Sequence, residues 1–544
     1  MARMPSVTAA QHSFATVPRA EIPRSSFDRS HGLKTAFDSG QLIPIFVDEA
    51  LPGDTFTINL TGFGRLATPL RPFMDNVYVN TFFFFVPNRL VWDNWQKFMG
   101  EQNNPGDSTD YLVPHIFSPA TTGYAENSLF DFMGIPTKVP DVGHSVLPFR
   151  AYNLIWNQWF RDQNLQDSIP IVMGDTGDNF ADFQIRRRGK RHDYFTSALP
   201  WPQKGSAVDI PLGTTAPIKG LGKTTQTWLP GGAPVYETGG STSVSYANSA
   251  GLGSSGADDN WLAKEDPNNP GFPAIYADLS QATAATINQL RQAFQIQKLH
   301  ERDARGGTRY TEIVRAHFNV ISPDARLQRP EYLGGGQGYV QLHQVPQQSP
   351  TGTYANTPQG NLAAYGTSGF SGHGFSKSFT EHGIVIGLLA VRADLNYQQG
   401  LNRFWKRRTK YDFYWPALSM IGEQAVLNGE IYSQGYSVPG PGGVGTMDDA
   451  AFGYQERYAE YRYKPSQVTG EMRSNAAQSL DTWHLAQDFA ALPQLNAAFI
   501  EDKPPMERVL AVQNERQFIF DMWFKFRCAR PMPTYGVPGL IDHF

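Results

Sequence analysis

The stretch from Gln517 to Cys528, QFIFDMWFKFRC, alternates between two kinds of position along its whole length. Every second residue is apolar: Phe518, Phe520, Met522, Phe524, Phe526 and Cys528. Successive side chains of a β-strand point to opposite faces of the sheet, whereas a helix of about 3.6 residues per turn would scatter these positions around its axis. The segment therefore predicts a β-strand with one face in a core.

Three further segments have strand patterns and lie far from this one in the chain. Residues 42–60 have a β pattern broken by a Pro52-Gly53 turn, residues 77–86 (VYVNTFFFFV) become apolar on both faces, and residues 384–391 form an aliphatic run. Strand partners so distant in sequence indicate a mainly β fold. We expect a sandwich or barrel with long insertions and not a chain of βαβ units.

Three segments between these strands have the apolar periodicity of helices. We predict a short helix after Pro87-Asn88, a second over residues 149–166 and a third over residues 282–305, because each segment has apolar residues spaced along one face of a helix. The fold is therefore expected to carry helical inserts between its strands.

Composition indicates extensive burial. Charged residues make up 18% of the chain, against about 25% in ordinary soluble domains, and aromatic residues make up 13%. Few charges and many rings favour either a large core or burial against neighbouring subunits.

The single cysteine, Cys528, can form no intramolecular disulfide and is expected to be a buried apolar group. Residues 1–26 have no apolar stretch, and the longest aliphatic run, residues 384–391, is far shorter than the ~20 residues of a membrane helix. We expect no signal peptide, no membrane insertion and a soluble protein of a reducing compartment.

Shifts in composition predict how the chain is divided. Residues 1–35 are polar and slightly basic, and are expected to form an extended N-terminal arm. Residues 205–275 are rich in Gly, Ser and Thr, and such a long loop predicts an insertion. Residues 36–204 and 276–544 are assigned to the β core and its helical inserts.

Two short segments concentrate positive charge beside aromatic rings. The first basic cluster comprises Arg186, Arg187, Arg188, Lys190 and Arg191. The second basic cluster comprises Arg403, Lys406, Arg407, Arg408 and Lys410. Isolated buried charges are costly to desolvate, so neither cluster is expected in a core; each should face water, acidic side chains or a polyanion. Together they suggest one locally positive surface.

Two interpretations of the basic clusters stay open. In one, the cations pair with carboxylates within the chain or between subunits. In the other, they contact a nucleic-acid backbone while nearby rings stack on bases, as in sequence-tolerant single-strand binding. If all ten cations met phosphate, log K would fall with log salt at a slope of up to about −7, whereas ion pairing predicts a slope near zero.

No motif for catalysis or metal binding stands out. Gly220–Thr225, GLGKTT, imitates the end of a phosphate-binding loop, but Pro217 occupies the position of its first glycine. Gly251, Gly253 and Gly256 match GxGxxG without the flanking strand and helix. The chain lacks the zinc and nucleophile-elbow motifs. We predict no enzyme activity, cofactor or metal, although the carboxylates of a glycoside hydrolase could meet in any fold.

Five long blocks carry a more specific signal. They are residues 24–56, beginning RSSFDRSHGLKTAF; 186–205, RRRGKRHDYFTSALPWPQKG; 322–336, SPDARLQRPEYLGGG; 404–418, FWKRRTKYDFYWPAL; and 530–544, RPMPTYGVPGLIDHF. They resemble hallmark stretches of the major capsid protein of gokushoviruses, the small tailless single-stranded DNA bacteriophages of the Microviridae. Similarity is lowest over residues 205–275, 337–372 and 435–455.

The resemblance implies an eight-stranded antiparallel viral jelly-roll with long loop and helical insertions. It further implies that sixty copies form a T=1 icosahedral shell around a circular single-stranded DNA genome. Our own expectation is that the two basic clusters lie on the inner face of that shell. Residues 205–275 would form a surface protrusion at the threefold axes, where a host receptor could be contacted.

Implied partners are a small basic DNA-binding protein, a pilot protein and an internal scaffolding protein. The implied location is the virion, assembled in the cytoplasm of the bacterial host. A carbohydrate-binding jelly-roll protein and a glycoside hydrolase stay open as alternatives.

Overall fold

The computed structural model describes residues 23–205, 218–219, 221–222, 262–263, 276–277, 287–321, 328–348 and 359–536. The chain divides into two compact units. The larger unit comprises residues 1–202 and 307–544, and the smaller comprises residues 203–306.

The larger unit is built on one antiparallel sheet. Its strands are β1 (Ser25–Asp28), β2 (His31–Phe37), β3 (Ile43–Ala50), β4 (Thr55–Leu66), β5 (Val77–Pro87), β6 (Glu331–Pro346), β7 (Leu362–Ser378), β8 (Gly383–Ala393) and β9 (Phe518–Arg530). The order across the sheet is β2–β9–β4–β7–β6–β5–β8–β3, and β1 pairs with the other end of β9.

This order is that of an eight-stranded jelly-roll. It divides into two four-stranded halves, β2–β9–β4–β7 and β3–β8–β5–β6, joined by the β6–β7 pairing. Chain neighbours alternate between the halves except at β5 and β6, which gives Greek-key connections. The sheet curls on itself, as one contact between its two halves shows: the ring of Phe46 on β3 lies 5.5 Å from that of Phe524 on β9. The predicted fold class is confirmed.

The alternation seen in the sequence of β9 places its apolar side in the interior of the curled sheet. Phe518, Phe520, Met522, Phe524, Phe526 and Cys528 are all buried, and the residues between them are exposed. They join the apolar residues of β3, β4 and β5 in the main hydrophobic core. Cys528 is buried and unbonded, as expected.

Strand β5 is buried on both faces, as its run of phenylalanines predicts. Phe83 and Phe85 belong to the core inside the curled sheet, whereas Phe84 and Val86 belong to a second core on the opposite face. That second core is covered by residues of the long insertion between β5 and β6. The strand therefore connects the jelly-roll to its insertion.

Among the described residues, the helices are short apart from one. They are α1 (Trp95–Phe98), α2 (Leu129–Phe132), α3 (Leu147–Ile155), α4 (Ile287–Gly306), α5 (Tyr310–Phe318), α6 (Asn428–Ile431) and α7 (Ala497–Ile500). The helix predicted over residues 149–166 is α3 continued by a π-helical turn, Trp156–Phe160. The helix predicted after Pro87-Asn88 is instead a 3₁₀ turn, Asn88–Leu90, followed by α1.

In the part of the chain that the structure describes, five pairs of short strands lie outside the main sheet. They are His115–Phe117 with Gly143–Ser145, Glu423–Leu427 with Ala451–Glu456, Asn396–Tyr397 with Ser466–Gln467, Ile218–Lys219 with Tyr276–Ala277, and Leu221–Gly222 with Leu262–Ala263. The last two pairs belong to the smaller unit, together with α4.

Glycines inside the long strands make room for aromatic rings. A Cβ on Gly64 would lie 2.4 Å from the ring of Phe520, and a Cβ on Gly62 would lie 2.3 Å from the ring of Phe370. These side chains lie on neighbouring strands, so the absence of a Cβ lets each ring cover the adjacent backbone.

The predicted N-terminal arm, residues 1–35, is too long. Residues 25–28 and 31–37 form β1 and β2, because their backbone pairs with β9 along the edge of the sheet. Residues 1–22 lie outside the described residues. Of the predicted insertion, residues 205–275, only 205, 218–219, 221–222 and 262–263 are described, so its role as a protrusion stays a prediction.

Candidate nucleic-acid interface

The first basic cluster is held in an extended conformation between two other segments of the chain. On one side, the Leu42 amide donates to the carbonyl of Arg186 (2.9 Å) and the Arg188 amide donates to that of Gly40 (2.8 Å). On the other side, the Lys190 amide donates to the carbonyl of Ile500 (2.7 Å). The backbone of the cluster is therefore fixed, and its side chains have defined positions.

Part of this cluster lines a groove of about 560 Å³. Its lining combines two kinds of side chain. The basic ones are Arg188, Lys190, Arg191, His192 and Arg392, and the aromatic ones are Phe82, Phe84, Trp159, Phe160 and Tyr332. The groove thus combines groups that attract phosphate with rings on which a base can stack.

Two arginines of the groove are positioned by rings and by polar partners. The Arg188 guanidinium lies 4.7 Å from the ring centroid of Phe82, and its Nη1 donates to Oδ1 of Asn80 (2.9 Å). The Arg191 guanidinium lies 4.2 Å from the ring centroid of Tyr78 and forms a half-exposed ion pair with the carboxylate of Asp394 (3.2 Å). Such cation–π contacts leave the guanidinium charge available to a further anion.

One buried carboxyl group stands among these cations. Asp502 is 2% exposed, and its Oδ2 has no hydrogen-bond partner among the described residues. Burial raises the pKa of Asp502 to about 7, although Arg392, Lys190 and Arg188 oppose that shift. Burial also lowers the pKa of Lys190 to about 8 and that of Arg188 to about 9. At neutral pH the cations exceed this single carboxyl, so the groove is positive.

The expectation that no residue of the run is buried is wrong for Lys190. Its side chain is buried, with the ammonium nitrogen 4.3 Å from the ring centroid of Phe499. The charge is tolerated because the nearby carboxyl of Asp502 favours the protonated form and because the aliphatic stem packs like an apolar side chain.

The first two arginines of the cluster bind backbone carbonyls instead of lining the groove. Arg186 donates through Nη2 to the carbonyl of Asp182 (3.0 Å), and Arg187 donates through Nη1 to that of Ser39 (3.1 Å). They attach the cluster to neighbouring loops.

The second basic cluster is held mainly by carboxylates. Nη1 of Arg403 lies 3.1 Å from Glu430 Oε1, and Nη2 of Arg407 lies 3.5 Å from Glu460 Oε1. Both carboxylates are nearly inaccessible to solvent. Burial raises the pKa of Glu430, while the charge of Arg403 opposes this shift. The ion-pairing interpretation therefore describes these two arginines.

The other three cations of this cluster differ from one another. Lys406 lies 3.3 Å from the carboxylate of Asp449. Arg408 is exposed and donates to the hydroxyl of Tyr436 (2.7 Å), and Lys410 is exposed with its ammonium 4.9 Å from the ring centroid of Tyr411. In the described part of the chain, no carboxylate forms an ion pair with Arg408 or Lys410.

The two clusters line different cavities. That of the second cluster, of about 160 Å³, shares no lining residue with the groove of the first, and the single positive surface expected from the sequence stays a prediction. The segment that follows the first cluster contacts the second, since the Tyr194 hydroxyl donates to Glu430 Oε2 (2.9 Å) and Glu430 also pairs with Arg403.

Comparison with known proteins decides the family. A family model described as capsid protein (F protein) matches residues 15–540. The chain belongs to this phage capsid protein family.

Relatives of this capsid protein match over nearly their whole length, and each is named capsid protein VP1. The chain is 50% identical over 546 residues to that of Bdellovibrio phage phiMH2K, covering 98% of both chains. It is 45% identical over 594 residues to that of Chlamydia phage 1 and 37% identical over 562 residues to that of Spiroplasma virus 4, covering 99% of both chains in each case. The resemblance to gokushovirus capsid proteins is confirmed, and the chain is a structural major capsid protein of a virion.

Two residues of the capsid protein's groove carry no signal in the sequence. Arg392 lies at the end of β8, and Asp502 follows α7, more than a hundred residues further along the chain. Only the fold brings these two residues to the first cluster. The backbone amide of Asp502, for example, donates to the carbonyl of Arg188 (2.8 Å). Neither lies in a charged run that a reader of the sequence could have linked to residues 186–191.

Within the described residues of the capsid protein, no group of three or more His, Cys, Asp or Glu side chains could hold a metal ion. The same residues include no helix with the length and apolar character needed to cross a membrane.

Proposed function

We propose that sixty copies of this capsid protein form a T=1 icosahedral shell around a circular single-stranded DNA genome, and that the groove of the first basic cluster contacts that DNA. The observation that carries the proposal is that one groove is lined both by cations, among them Arg188 and Arg191, and by aromatic rings.

The chemistry of the groove fits a nucleotide strand. Phosphates are attracted by guanidinium and ammonium groups whatever the base sequence. Rings such as Trp159 and Tyr332 offer flat faces for stacking, which is worth about 1–3 kcal/mol per base and tolerates any sequence. A capsid that holds a genome of varied sequence needs this kind of binding, which does not read bases.

The ten cations named from the sequence do not contribute equally to this proposal. We assign the DNA contact to Arg188, Arg191 and Arg392, which line the groove. Lys190 is buried and adds its charge to the groove without touching phosphate, and Arg186 and Arg187 fix the backbone of the cluster. The cations of the second cluster, in which Arg403 and Arg407 face buried carboxylates, are assigned to a different partner below.

The salt dependence of DNA binding by dispersed subunits tests the assignment. With three or four phosphates neutralised, the slope of log K against log salt is expected to be about −2 to −3, and not the −7 of ten contacts. Arg191→Gln should reduce the slope by about 0.7. Arg65→Gln, which removes an exposed charge from β4, is the matched control and should leave the slope unchanged. A wild-type slope near zero would contradict the proposal.

We further propose, from the family resemblance, that the shell assembles in the bacterial cytoplasm with an internal scaffolding protein. A small basic DNA-binding protein and a pilot protein would enter with the genome, and residues 205–275 would protrude at the threefold axes toward a host receptor. The chain would have no enzymatic role. Mass spectrometry of purified particles and of assembly intermediates tests the protein partners, and loss of adsorption after deletion of residues within 205–275 tests the receptor contact.

A further inference from the structure

We infer that the aromatic surface around the second basic cluster binds a second copy of this chain. This surface, the aromatic patch, comprises Phe404, Trp405, Tyr411, Phe413, Tyr414, Trp415, Tyr436 and Tyr461. The inference rests on the proposed shell, because it names one surface through which subunits join.

The patch is large enough for a stable interface. Its rings are between 48% and 69% exposed. Because an aromatic side chain buries about 150–250 Å², each ring leaves roughly 100 Å² uncovered. The eight together expose on the order of 800 Å², which is about what one partner contributes to a standard protein–protein interface.

Several rings of the patch contact one another or a cation of the second cluster. The ring centroids of Tyr414 and Tyr461 are 6.1 Å apart, and those of Phe404 and Trp405 are 4.2 Å apart. The Arg407 guanidinium lies 4.2 Å from the centroid of Tyr461. Arginine thus packs among aromatic residues, as in the centres of protein interfaces.

The backbone beneath the patch is ordered by short helical turns. Three 3₁₀ helices follow one another, Arg403–Lys406, Lys410–Asp412 and Pro416–Leu418. The carboxylate of Asp412 accepts from the amide of Thr409 (2.7 Å), and the indole of Trp415 donates to the carbonyl of Lys410 (2.7 Å). The rings are held in place before binding, so little conformational entropy is lost when a partner covers them.

The charges of the patch favour protein over DNA. Three of the five cations of the second cluster, Arg403, Lys406 and Arg407, already have carboxylate partners within the chain. Binding of a nucleic-acid strand draws on cations that are free to meet phosphate, and only the side chains of Arg408 and Lys410 in this cluster have no carboxylate partner among the described residues. A surface with large rings and mostly neutralised charge matches the core of a subunit contact.

A second copy is the occupant that the area supports. In a closed shell of identical subunits, each subunit is surrounded by copies of itself. Because the aromatic patch has the area of a full interface, we infer that a neighbouring copy covers it. The patch lies in the insertion between β8 and β9, outside the jelly-roll core, and residues of the described jelly-roll do not cover it.

Hydroxyl-radical footprinting tests this inference on three states of the protein: dispersed subunits, shells freed of DNA, and filled particles. We expect Trp405 and Trp415 to be reactive in dispersed subunits and protected in both kinds of shell. Protection only in filled particles would overturn the inference in favour of DNA, and reactivity in all three states would overturn it as well. A chain that never forms shells would contradict the proposed function itself, and this inference with it.

A pair of variants separates a contact role from a folding role. Trp405→Ala removes a ring that is 68% exposed, and Trp523→Ala on β9 removes one that is 55% exposed. Both variants should keep the unfolding midpoint of the dispersed wild-type subunit. Trp405→Ala should lower the yield of shells at least tenfold and leave the affinity of subunits for a thymidine oligonucleotide unchanged. Reduced DNA affinity with normal shell yield would overturn the inference.

Discussion

Asp502 and Lys190 interact in a buried position beside the groove of the first basic cluster, and burial moves their pKa values toward each other. The pKa of Asp502 rises to about 7 and that of Lys190 falls to about 8. Each group thus changes its charge close to neutral pH, where the free side chains would both be ionised. The net charge of the groove is therefore sensitive to pH.

DNA binding by dispersed subunits should weaken as the pH rises from 6 to 9. Asp502 loses a proton near pH 7 and becomes negative, and Lys190 loses one near pH 8 and becomes neutral, so both steps make the groove less positive. Fluorescence anisotropy with a labelled thymidine oligonucleotide at fixed ionic strength measures the change. Constant or rising affinity over this range would contradict the assignment.

Asp502→Asn should remove the part of the pH dependence near pH 7 and keep the part near pH 8. The variant should also bind DNA more tightly than the wild type at pH 8, because the negative charge no longer forms. Asp521→Asn is the matched control, since this carboxylate is exposed on β9 and pairs with Lys34 instead of the groove. The pH profile of the control should equal that of the wild type.

Arg407→Ala should destabilise the dispersed subunit by about 2 kcal/mol, because it removes one partner of a buried ion pair. The carboxylate left behind, Glu460, is 5% exposed and keeps only a longer contact with Arg403 (3.9 Å) and a hydrogen bond from Gln424. Urea unfolding measures the loss. Arg408→Ala removes an exposed neighbour and should cost less than about 0.5 kcal/mol. Equal effects of the two variants would show that the Arg407–Glu460 pair has no structural role.

Gly64→Ala should destabilise the jelly-roll by about 1–3 kcal/mol, the usual cost of overpacking. The added methyl group would lie 2.4 Å from the ring of Phe520, which is itself buried. Gly369→Ala on β7 is the control, because nothing lies within 4 Å of the Cβ position there. If both substitutions are tolerated equally in thermal unfolding, the close approach of ring and backbone is not needed for stability.

Much of the fold could be predicted from the sequence because its signals are local. The alternation of β9 and the doubly apolar run of β5 each depend on residues next to one another in the chain. The order of the strands is different: it depends on pairings such as Phe518 with Phe37, whose residues are separated by most of the chain. The resemblance to a known family supplied that order.

The candidate site was less predictable for the same physical reason. The sequence identifies ten cations, but their partners Glu430, Glu460 and Asp502 lie elsewhere along the insertion between β8 and β9 and share no pattern with them. Burial also depends on the fold, so the local charge of Lys190 gave no sign that it would lie inside. Composition located the clusters, and only three-dimensional contacts distinguished a positive groove from a neutralised aromatic patch.

A cryo-electron microscopy reconstruction of purified, filled particles would show the shell, the DNA and the subunit contact together. We expect an isometric T=1 shell of sixty subunits, with nucleotide density in the groove beside Arg188 and Arg191 and a neighbouring subunit over Trp405. A chain that stays monomeric under every assembly condition, or a shell whose ordered DNA lies on the aromatic patch while the groove is empty, would contradict this expectation.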